Sequence, residues 1–340
     1  MLHLLLHTVL AQAANYCPTF TDDFNDILDT SVWQHDITMS GGGNWEFEYY
    51  TNNRTNSYTQ NGILYINPTY TADRIGLGPM LNGGSLDLWN DGCTNNAFYG
   101  CSRQSNGANI INPIQSALIR TKNTVSMKYG KLEVRARLPK GDWKWPAIWL
   151  MPRDNKYGTW PVSGEIDIME ARGNGVNYPH GGYNQMGSTL HWGPDFFHNG
   201  FAQTHQTYTL ASGTFADDFH VFGLLWNSTN IITYVDDPSN VVLNVNTVNL
   251  FPRGNFGNVA NPWPATHPSA PFDQEFYLIM NVAVGGMSDF FPADGTRPWS
   301  ATTQTASLDF WNARGQWMPT WPTDNTGALA VDWVKVYQQC

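Results

Sequence analysis

Three carboxylates interrupt one short apolar stretch of this sequence, at Glu165, Asp167 and Glu170. In a plain β-strand Glu165 and Asp167 lie on one face, and the two isoleucines beside them lie on the other. Acidic residues are poor strand formers and repel one another, so strand formation alone gives no reason for their presence. Carboxyl groups held close together can place a nucleophile beside a general acid. The stretch is therefore a candidate catalytic strand.

Glu170 lies five residues after Glu165, so strict alternation would place it on the opposite face. A β-bulge at Ile168–Met169 would absorb one step of register and return Glu170 to the acidic face. The competing interpretation is the solvated polar face of a surface strand, which the apolar flanks and the lack of nearby lysine disfavour. A retaining glycosidase needs two carboxyl groups about 5–5.5 Å apart, one as nucleophile and one as acid. We expect Glu165 and Glu170 to form that pair, with Asp167 between them.

The segments around this strand alternate between apolar and polar residues, which is typical of half-buried strands. The clearest is 132–138, where leucine, valine and alanine alternate with glutamate and arginine. Further strands are predicted at 62–67, 219–226, 230–236, 275–284 and 330–337. Helical periodicity is best at 308–316, whereas 76–115 and 252–272 are predicted as long loops that could wall a cleft. The pattern indicates an all-β fold, either a sandwich or a barrel.

Composition excludes several classes of function. The chain has 340 residues and a net charge of −10, so its surface does not attract nucleic acid or anionic membranes. Aromatic residues make up 14% of the chain, including 15 tryptophans, whose rings suit stacking on sugars.

Residues 1–14 are mostly apolar and resemble a signal peptide, with a short buried strand as the alternative. No segment is apolar for long enough to span a bilayer, and a chain of this length needs no oligomer in order to fold. We therefore expect a secreted, monomeric domain over residues 15–340.

The cysteine count fits a secreted chain with two disulfides. The four cysteines are Cys17, Cys93, Cys101 and Cys340, which allow three pairings. Cys93 and Cys101 lie eight residues apart in one predicted loop, so a local bridge between them is geometrically easy. Cys17 would then pair with Cys340, because the termini of a domain often lie close together. None of the four forms a CxxC pair, so a zinc site is not expected.

The acidic strand and its surroundings resemble glycoside hydrolase family 16 in its bulged, laminarinase-like form. Matches run from about residue 45 to the C-terminus, and the most specific are 142–150, 164–170, 188–192, 219–226, 281–286 and 331–337. The resemblance implies a β-jelly roll of two curved antiparallel sheets with an open substrate cleft. It also implies that Glu165 is the nucleophile, that Asp167 assists it, and that Glu170 is the acid/base.

Tryptophans in the segment before the acidic strand are candidates for sugar binding. Trp143, Trp145 and Trp149 share one face if a single strand runs through all three. The resemblance implies that Trp145 and Trp149 line the cleft. For Trp149 a core position is an equal alternative, because it lies within the apolar run 147–150.

The resemblance also implies roles for four residues in other segments. His191 is expected near the acid/base, bonded to a glutamate or a sugar hydroxyl, although a structural histidine is the alternative. Arg54 and Asn56 are expected to contact sugar hydroxyls, with a plain surface loop as the alternative. Asp332 resembles a ligand of a structural calcium ion, but a surface aspartate fits as well. No cofactor is required for the expected reaction.

Three functions from different classes fit these observations. The leading hypothesis is an endo-β-1,3-glucanase that hydrolyses β-glucan polysaccharide. The second is a β-1,3-glucan recognition protein of the same fold that lacks catalysis; the presence of Glu165, Asp167 and Glu170 favours the enzyme. The third is a transglycosylase of the same fold, although the acid spacing typical of the plant xyloglucan enzymes is absent.

Overall fold

The computed structural model describes residues 15–340, and strands dominate them. The predicted signal peptide at 1–14 lies outside the described residues. The strands in chain order are β1 Tyr16–Asp22, β2 Gln34–His35, β3 Glu48–Tyr50, β4 Ser57–Gln60, β5 Ile63–Ile66, β6 Thr69–Tyr70, β7 Asn82–Asp87, β8 Ser102–Asn106, β9 Ile114–Ser116, β10 Leu118–Arg120, β11 Ser126–Met127, β12 Gly130–Arg137, β13 Lys144–Pro152, β14 Glu165–Ala171, β15 Gln185–His191, β16 His205–Thr209, β17 His220–Trp226, β18 Asn230–Val235, β19 Val241–Asn246, β20 Phe276–Val284 and β21 Leu329–Gln339. The helices are α1 Thr71–Ile75, α2 Leu77–Leu81, α3 Ala306–Asn312 and α4 Arg314–Trp317.

Most strands belong to two antiparallel sheets. The back sheet has the order β19-β18-β17-β12-β21-β5-β4, with β1 paired to β21. The front sheet has the order β16-β15-β14-β13-β20-β10-β2, with β11 paired to β20. One hydrophobic core contains residues of both sheets, so their inner faces pack together and the outer face of the front sheet is left for a substrate. This confirms the expected jelly roll.

The alternating sequence of β12 explains which of its faces packs against the other sheet. Leu132 and Val134 are fully buried, whereas Glu133 and Arg135 on the other face are partly exposed. Ile148 of β13 belongs to the same core from the front sheet. Each such aliphatic side chain contributes about 1.5–3 kcal/mol when buried. The core therefore determines which face of each front-sheet strand points outward.

A second, aromatic core covers one end of the front sheet. β20 is buried along its whole length, because its outer face also packs against other parts of the chain. Phe310 of α3 stacks on Trp317 of α4, with ring centroids 4.5 Å apart. Trp145 and Trp143 belong to this aromatic core as well. The helical segment thus braces the β13 end that lies beside the acidic strand.

The predicted strands are confirmed at each of the six segments, and the helical segment is confirmed as α3 and α4. The prediction of a plain loop over 76–115 is wrong, because α2 and the β7–β8 hairpin lie within it and β9 begins at its end. The polar, glycine-rich composition of this segment is typical of a loop, yet the segment contains a hairpin in which Leu86 is buried. In contrast, 252–272 contains only a short 3-10 turn and is a loop, as predicted.

Both predicted disulfides are confirmed. Cys93 is bonded to Cys101, and Cys17 is bonded to Cys340. Cys17 lies on β1, which pairs with β21 near the C-terminus, so the sheet itself brings the two ends of the described chain together. None of the helices within 15–340 is both long and apolar enough to cross a membrane.

Candidate active site

β14 contains the predicted bulge at the predicted residues. Its register with β15 shifts between Asp167 and Glu170, so Ile168 and Met169 occupy the place of one residue. Both of these side chains are fully buried in the core. The extra residue restores the parity of the strand, and Glu170 returns to the outer face that Glu165 and Asp167 share.

A chain of buried hydroxyl groups satisfies the backbone at the bulge. Ser188 Oγ on β15 donates to the carbonyl oxygen of Ile168 at 2.6 Å. Thr233 Oγ1 on β18 of the back sheet donates to Ser188 Oγ at 2.8 Å and accepts from the Leu243 N–H at 3.2 Å. A buried carbonyl without a partner costs about 1–3 kcal/mol. These bonds, which cross the core between the sheets, therefore stabilise the register that positions Glu170.

Each of the two glutamates accepts a hydrogen bond from a tryptophan. Trp160 Nε1, in the turn before β14, donates to Glu165 Oε2 at 2.8 Å. Trp145 Nε1, on β13, donates to Glu170 Oε1 at 2.9 Å. An indole N–H can only donate, so each bond favours the ionised form of its glutamate. The two carboxyl groups are thus oriented by different elements.

Asp167 and His191 meet between these glutamates. Asp167 is 2% exposed, and its Oδ2 has no hydrogen bond of good geometry within 15–340. His191 Nε2 lies 3.2 Å from that atom and 3.8 Å from Glu165 Oε1. In the register of β14 and β15, His191 lies directly opposite Glu165. The imidazole is therefore in contact with Glu165 and Asp167, and it lies within electrostatic range of Glu170, the expected acid/base.

Burial raises the pKa of all three carboxyl groups. The pKa of Glu165 is raised well above its usual value, first by burial and then by the charge of Asp167. Burial and then the charge of Glu170 raise the pKa of Asp167 well above its ordinary value. Burial raises the pKa of Glu170, while His191 and the Trp145 N–H oppose that rise. Because neighbouring carboxylates repel, the cluster keeps protons to higher pH than isolated acids and titrates as a unit.

A second pair of buried carboxyl groups, Glu46 and Glu48, lies within electrostatic range of Glu170. Glu48 Oε2 accepts from the Val284 N–H at 2.6 Å, and Glu46 Oε1 accepts from Asn44 Nδ2 at 3.1 Å. Burial raises the pKa of Glu46, and the charge of Glu170 adds to that rise. Burial and then the charge of Glu46 raise the pKa of Glu48 well above its usual value. Burial and the neighbouring Glu46 charge therefore favour the protonated form of Glu48.

A polar network connects this second pair to Trp149. Trp149 Nε1 donates to Asn281 Oδ1 at 2.7 Å, and Asn281 Nδ2 donates to Tyr50 Oη at 3.0 Å. Tyr50 Oη in turn lies 3.5 Å from Glu46 Oε2. Trp149 is only partly buried, so it lies between the core and the outer face, and neither of the two alternatives for it holds alone.

The structure corrects the roles expected for two of the tryptophans. Trp145 is only 8% exposed, and Phe290 covers one face of its ring, with centroids 3.8 Å apart. Its contact with the site is the N–H bond to Glu170 and not an open stacking face. Trp143 precedes β13, has a positive φ of 70°, and packs among Tyr178, Phe291 and Trp299. That turn breaks the alternation, so Trp143 does not share the outer face.

Arg54 and Asn56 lie away from the acidic cluster. Arg54 is exposed and contacts His35 Nε2 at 3.0 Å, on β2 at the far edge of the front sheet from β14. Asn56 is completely buried, and its amide donates to the carbonyls of Asn67 and Gln115. The expectation that Asn56 binds sugar hydroxyls is therefore wrong, because its amide is used within the fold.

Asp332 does not fit a calcium ion. Its carboxylate pairs with the guanidinium of Arg135 on the neighbouring strand of the back sheet, and a cation beside that guanidinium would be repelled. Within 15–340, acceptor atoms of Glu165, Asp167 and His191 lie within 4.8 Å of one another. Each of these residues could offer one ligand atom to a metal ion, and a nitrogen of His191 also lies 3.2 Å from the Asp167 carboxylate.

Several residues that shape the site carry no signal in the sequence. Trp160 and Ser188 contact β14 only because the fold brings a turn and a neighbouring strand against it. Glu46 and Glu48 alternate like any half-exposed strand pair, so their burial is not predictable from the pattern.

The site and its surroundings match known proteins. Residues 94–277 match the sequence pattern of Glycosyl hydrolases family 16. A protein of Penaeus monodon named beta-1,3-glucan-binding protein is 48% identical over 95% of this chain and 90% of its own length. The glucan endo-1,3-beta-glucosidase A1 of Niallia circulans is 35% identical over 79% of this chain, which spans only 34% of that enzyme.

The fold matches as extensively as the sequence. The catalytic domain of an endo-1,3-beta-glucanase (laminarinase) from Thermotoga petrophila RKU-1 is similar with a TM-score of 0.61 and 25% identity. The match covers 96% of this chain and 99% of that domain. The likeness therefore extends through both sheets and the strand that carries the acidic cluster.

The Glu46–Glu48 pair generates a prediction about stability. Glu48→Gln keeps the shape of the side chain and its acceptor for the Val284 N–H, but cannot ionise. Because the folded pKa of Glu48 is raised, the folded wild type holds a proton that the unfolded chain releases above about pH 4.5. The wild type therefore loses the contribution of Glu48 to its stability as pH rises, and the variant does not.

Urea unfolding should show the variant more stable by about 1–3 kcal/mol at pH 7, and equal to the wild type at pH 4. A difference that is the same at both pH values would contradict the protonated state.

Proposed function

The chain belongs to glycosyl hydrolase family 16, and on that premise we propose that it is a secreted, retaining endo-β-1,3-glucanase. The observation that carries the proposal is the outer face of β14, where Glu165 and Glu170 flank Asp167 and accept separate tryptophan hydrogen bonds. A plain glucan-binding surface needs no bulge and no buried acidic cluster. Two carboxyl groups on either side of a bound sugar are what double displacement at an anomeric carbon requires.

The proposed reaction begins with the two glutamates in different protonation states. Glu165 as a carboxylate attacks the anomeric carbon, while Glu170 donates its proton to the departing glycosidic oxygen. The C–O bond to the leaving sugar breaks, and an ester between Glu165 and the glucosyl unit forms. Glu170, now ionised, takes a proton from water, whose oxygen attacks the anomeric carbon and releases Glu165. Two inversions return the product to the β configuration.

The contacts in the structure suit this division of roles. Esterification removes the negative charge of Glu165, which relieves its repulsion of Glu170 and lets that group act as a base. The Trp160 N–H and His191 both favour an ionised Glu165, against the burial that raises its pKa. Asp167 lies between the two, and burial together with the charge of Glu170 raises its pKa.

The relatives support β-1,3-glucan as the substrate. The Niallia circulans relative is named a glucan endo-1,3-beta-glucosidase, and the Thermotoga petrophila domain is that of a laminarinase. The proposed secretion is supported by the two disulfides, which persist in oxidising compartments, and by the apolar leader-like sequence at 1–14.

A second function is favoured by one observation. The Penaeus monodon protein, 48% identical over 95% of this chain, is named a beta-1,3-glucan-binding protein. The chain would then bind β-1,3-glucan on the same outer face without cleaving it. Glu165, Asp167 and Glu170 distinguish the two, because binding alone gains nothing from three neighbouring carboxyl groups that repel one another.

The first test measures cleavage and its stereochemistry. Laminarin should be hydrolysed, and proton NMR should show β-anomeric ends first, with xyloglucan and agarose as control polymers. Glu165→Gln should lower kcat by at least about 100-fold while laminarin binding survives, because only the charge is removed. Products that begin as the α-anomer would refute retention. Laminarin binding without any new reducing ends would favour the binding protein instead.

The second test separates the two glutamates by pH. Trp145→Phe removes the N–H that lowers the pKa of Glu170, so the proton on that acid persists to higher pH and the alkaline limb of the kcat/KM profile should move up. Trp160→Phe removes the N–H that lowers the pKa of Glu165, so the ionised nucleophile appears only at higher pH and the acidic limb should move up. We expect shifts of roughly one pH unit.

Trp149→Phe is the matched control for both variants. Its N–H bonds to Asn281 and not to a carboxyl group of the cluster, so neither limb should move. Circular dichroism would verify that all three variants fold. A shift of the same limb in both Trp145→Phe and Trp160→Phe would contradict the assignment of separate roles.

A further inference from the structure

The turn after β15 holds an asparagine against the imidazole of His191. Asn199 Nδ2 lies 2.7 Å from His191 Nδ1. The other end of the same amide, Asn199 Oδ1, accepts backbone N–H groups from Trp192 at 3.4 Å and Phe201 at 3.2 Å. Two N–H donors fix the oxygen end of the amide, because a flipped amide would direct its own N–H groups at them. The NH₂ group of Asn199 therefore faces the histidine.

This orientation determines which nitrogen of His191 carries the hydrogen. An amide NH₂ can only donate, so Nδ1 of His191 must accept and be without a hydrogen. In a neutral imidazole the hydrogen then resides on Nε2. Nε2 is the atom that lies 3.2 Å from Asp167 Oδ2 and 3.8 Å from Glu165 Oε1. The histidine thus directs an N–H at the buried oxygen of Asp167 that otherwise has no partner.

Aromatic neighbours keep the ring in this position. Phe201 stacks on the imidazole, with centroids 5.4 Å apart and planes 24° apart. Trp160, which donates to Glu165, contacts the same ring with centroids 5.6 Å apart. Phe201 also supplies one of the N–H groups that fix Asn199. The turn therefore sets both the place and the tautomer of the imidazole.

We propose that Asn199 is a positioning residue that fixes His191 as the Nε2–H tautomer, so that a neutral imidazole donates toward Asp167 and Glu165. The proposal deepens the proposed function and rests on it for the catalytic consequence. With the hydrogen on Nδ1 instead, the bare Nε2 would face two acidic groups, and one of them would have to hold a proton to bond to it. Glu165 would then be protonated more often and would attack less readily.

The tautomer can be measured in the free protein, without substrate. In protein labelled with ¹⁵N at its 9 histidines, the His191 signals are assigned by their loss in His191→Gln. At neutral pH the wild type should show a bare Nδ1 and a protonated Nε2. A protonated Nδ1 in the wild type would overturn the proposal, whatever the activity of the protein.

Asn199→Asp is the informative variant, because it keeps the shape of the side chain and replaces the donor by an acceptor. One carboxylate oxygen can still accept the two backbone N–H groups, while the other draws a hydrogen onto Nδ1. We expect a protonated Nδ1 and a kcat on the order of ten-fold lower, with KM changed by less than about two-fold. The low-pH limb of the rate profile should also move, since the charge state beside Glu165 changes.

Asp195→Asn is the matched control within the same turn. Asp195 accepts from the backbone N–H groups of Phe197 and His198 and contacts the His198 ring, but it does not touch His191. If Asn199 acts only by holding the turn, both variants should slow the reaction equally and leave the Nδ1 signal unchanged, which would overturn the proposal. If the wild type has the predicted tautomer but releases no sugar from laminarin, the proposed hydrolysis fails while the positioning of His191 stands.

Discussion

The β-bulge at Ile168–Met169 is the constraint on which the acidic cluster depends. Without it, Glu170 would point into the core. An unpaired carboxylate among aliphatic side chains would strongly destabilise the folded protein. Both bulge side chains pack in the core, and the hydroxyl chain from Thr233 through Ser188 satisfies the buried carbonyl of Ile168. The site is thus set by packing between the two sheets, and the back sheet takes part in it without touching substrate.

The second consequence of this geometry is electrostatic. Three carboxyl groups lie on one strand, with Glu46 close enough to Glu170 for their charges to interact, so the ionised forms repel one another. Burial raises the pKa of each of these four groups and of Glu48, which favours their protonated forms. Tryptophan N–H groups and His191 then bias particular members toward ionisation. Raised pKa values, together with separate N–H donors to Glu165 and Glu170, suit a site in which one carboxyl group acts first as an acid and then as a base.

Much of this could be predicted from the sequence, because strand alternation has a period of two and one residue out of step demands a bulge. The same reasoning located the six strands around it, while the short spacing of Cys93 and Cys101 predicted the cysteine pairing. It failed where the chain leaves regular structure, as at Trp143, whose positive φ turns its ring into the aromatic core. It also failed where a polar side chain serves the backbone, as with Asn56. Some contacts exist only after β13, β14 and β15 have paired, namely those of Trp160, Ser188 and Asn199. No local sequence pattern predicts the roles of these residues.

Covalent trapping is the most direct test of the claim that this cluster is a double-displacement site. A 2-deoxy-2-fluoro-β-glucosyl fluoride extended by one β-1,3-linked glucose slows both steps, while its good leaving group lets the first proceed. Mass spectrometry of the intact protein, followed by peptide mapping, should find one glycosyl unit esterified to Glu165. An ester on Glu170, or no adduct from a protein that demonstrably binds laminarin, would contradict the account.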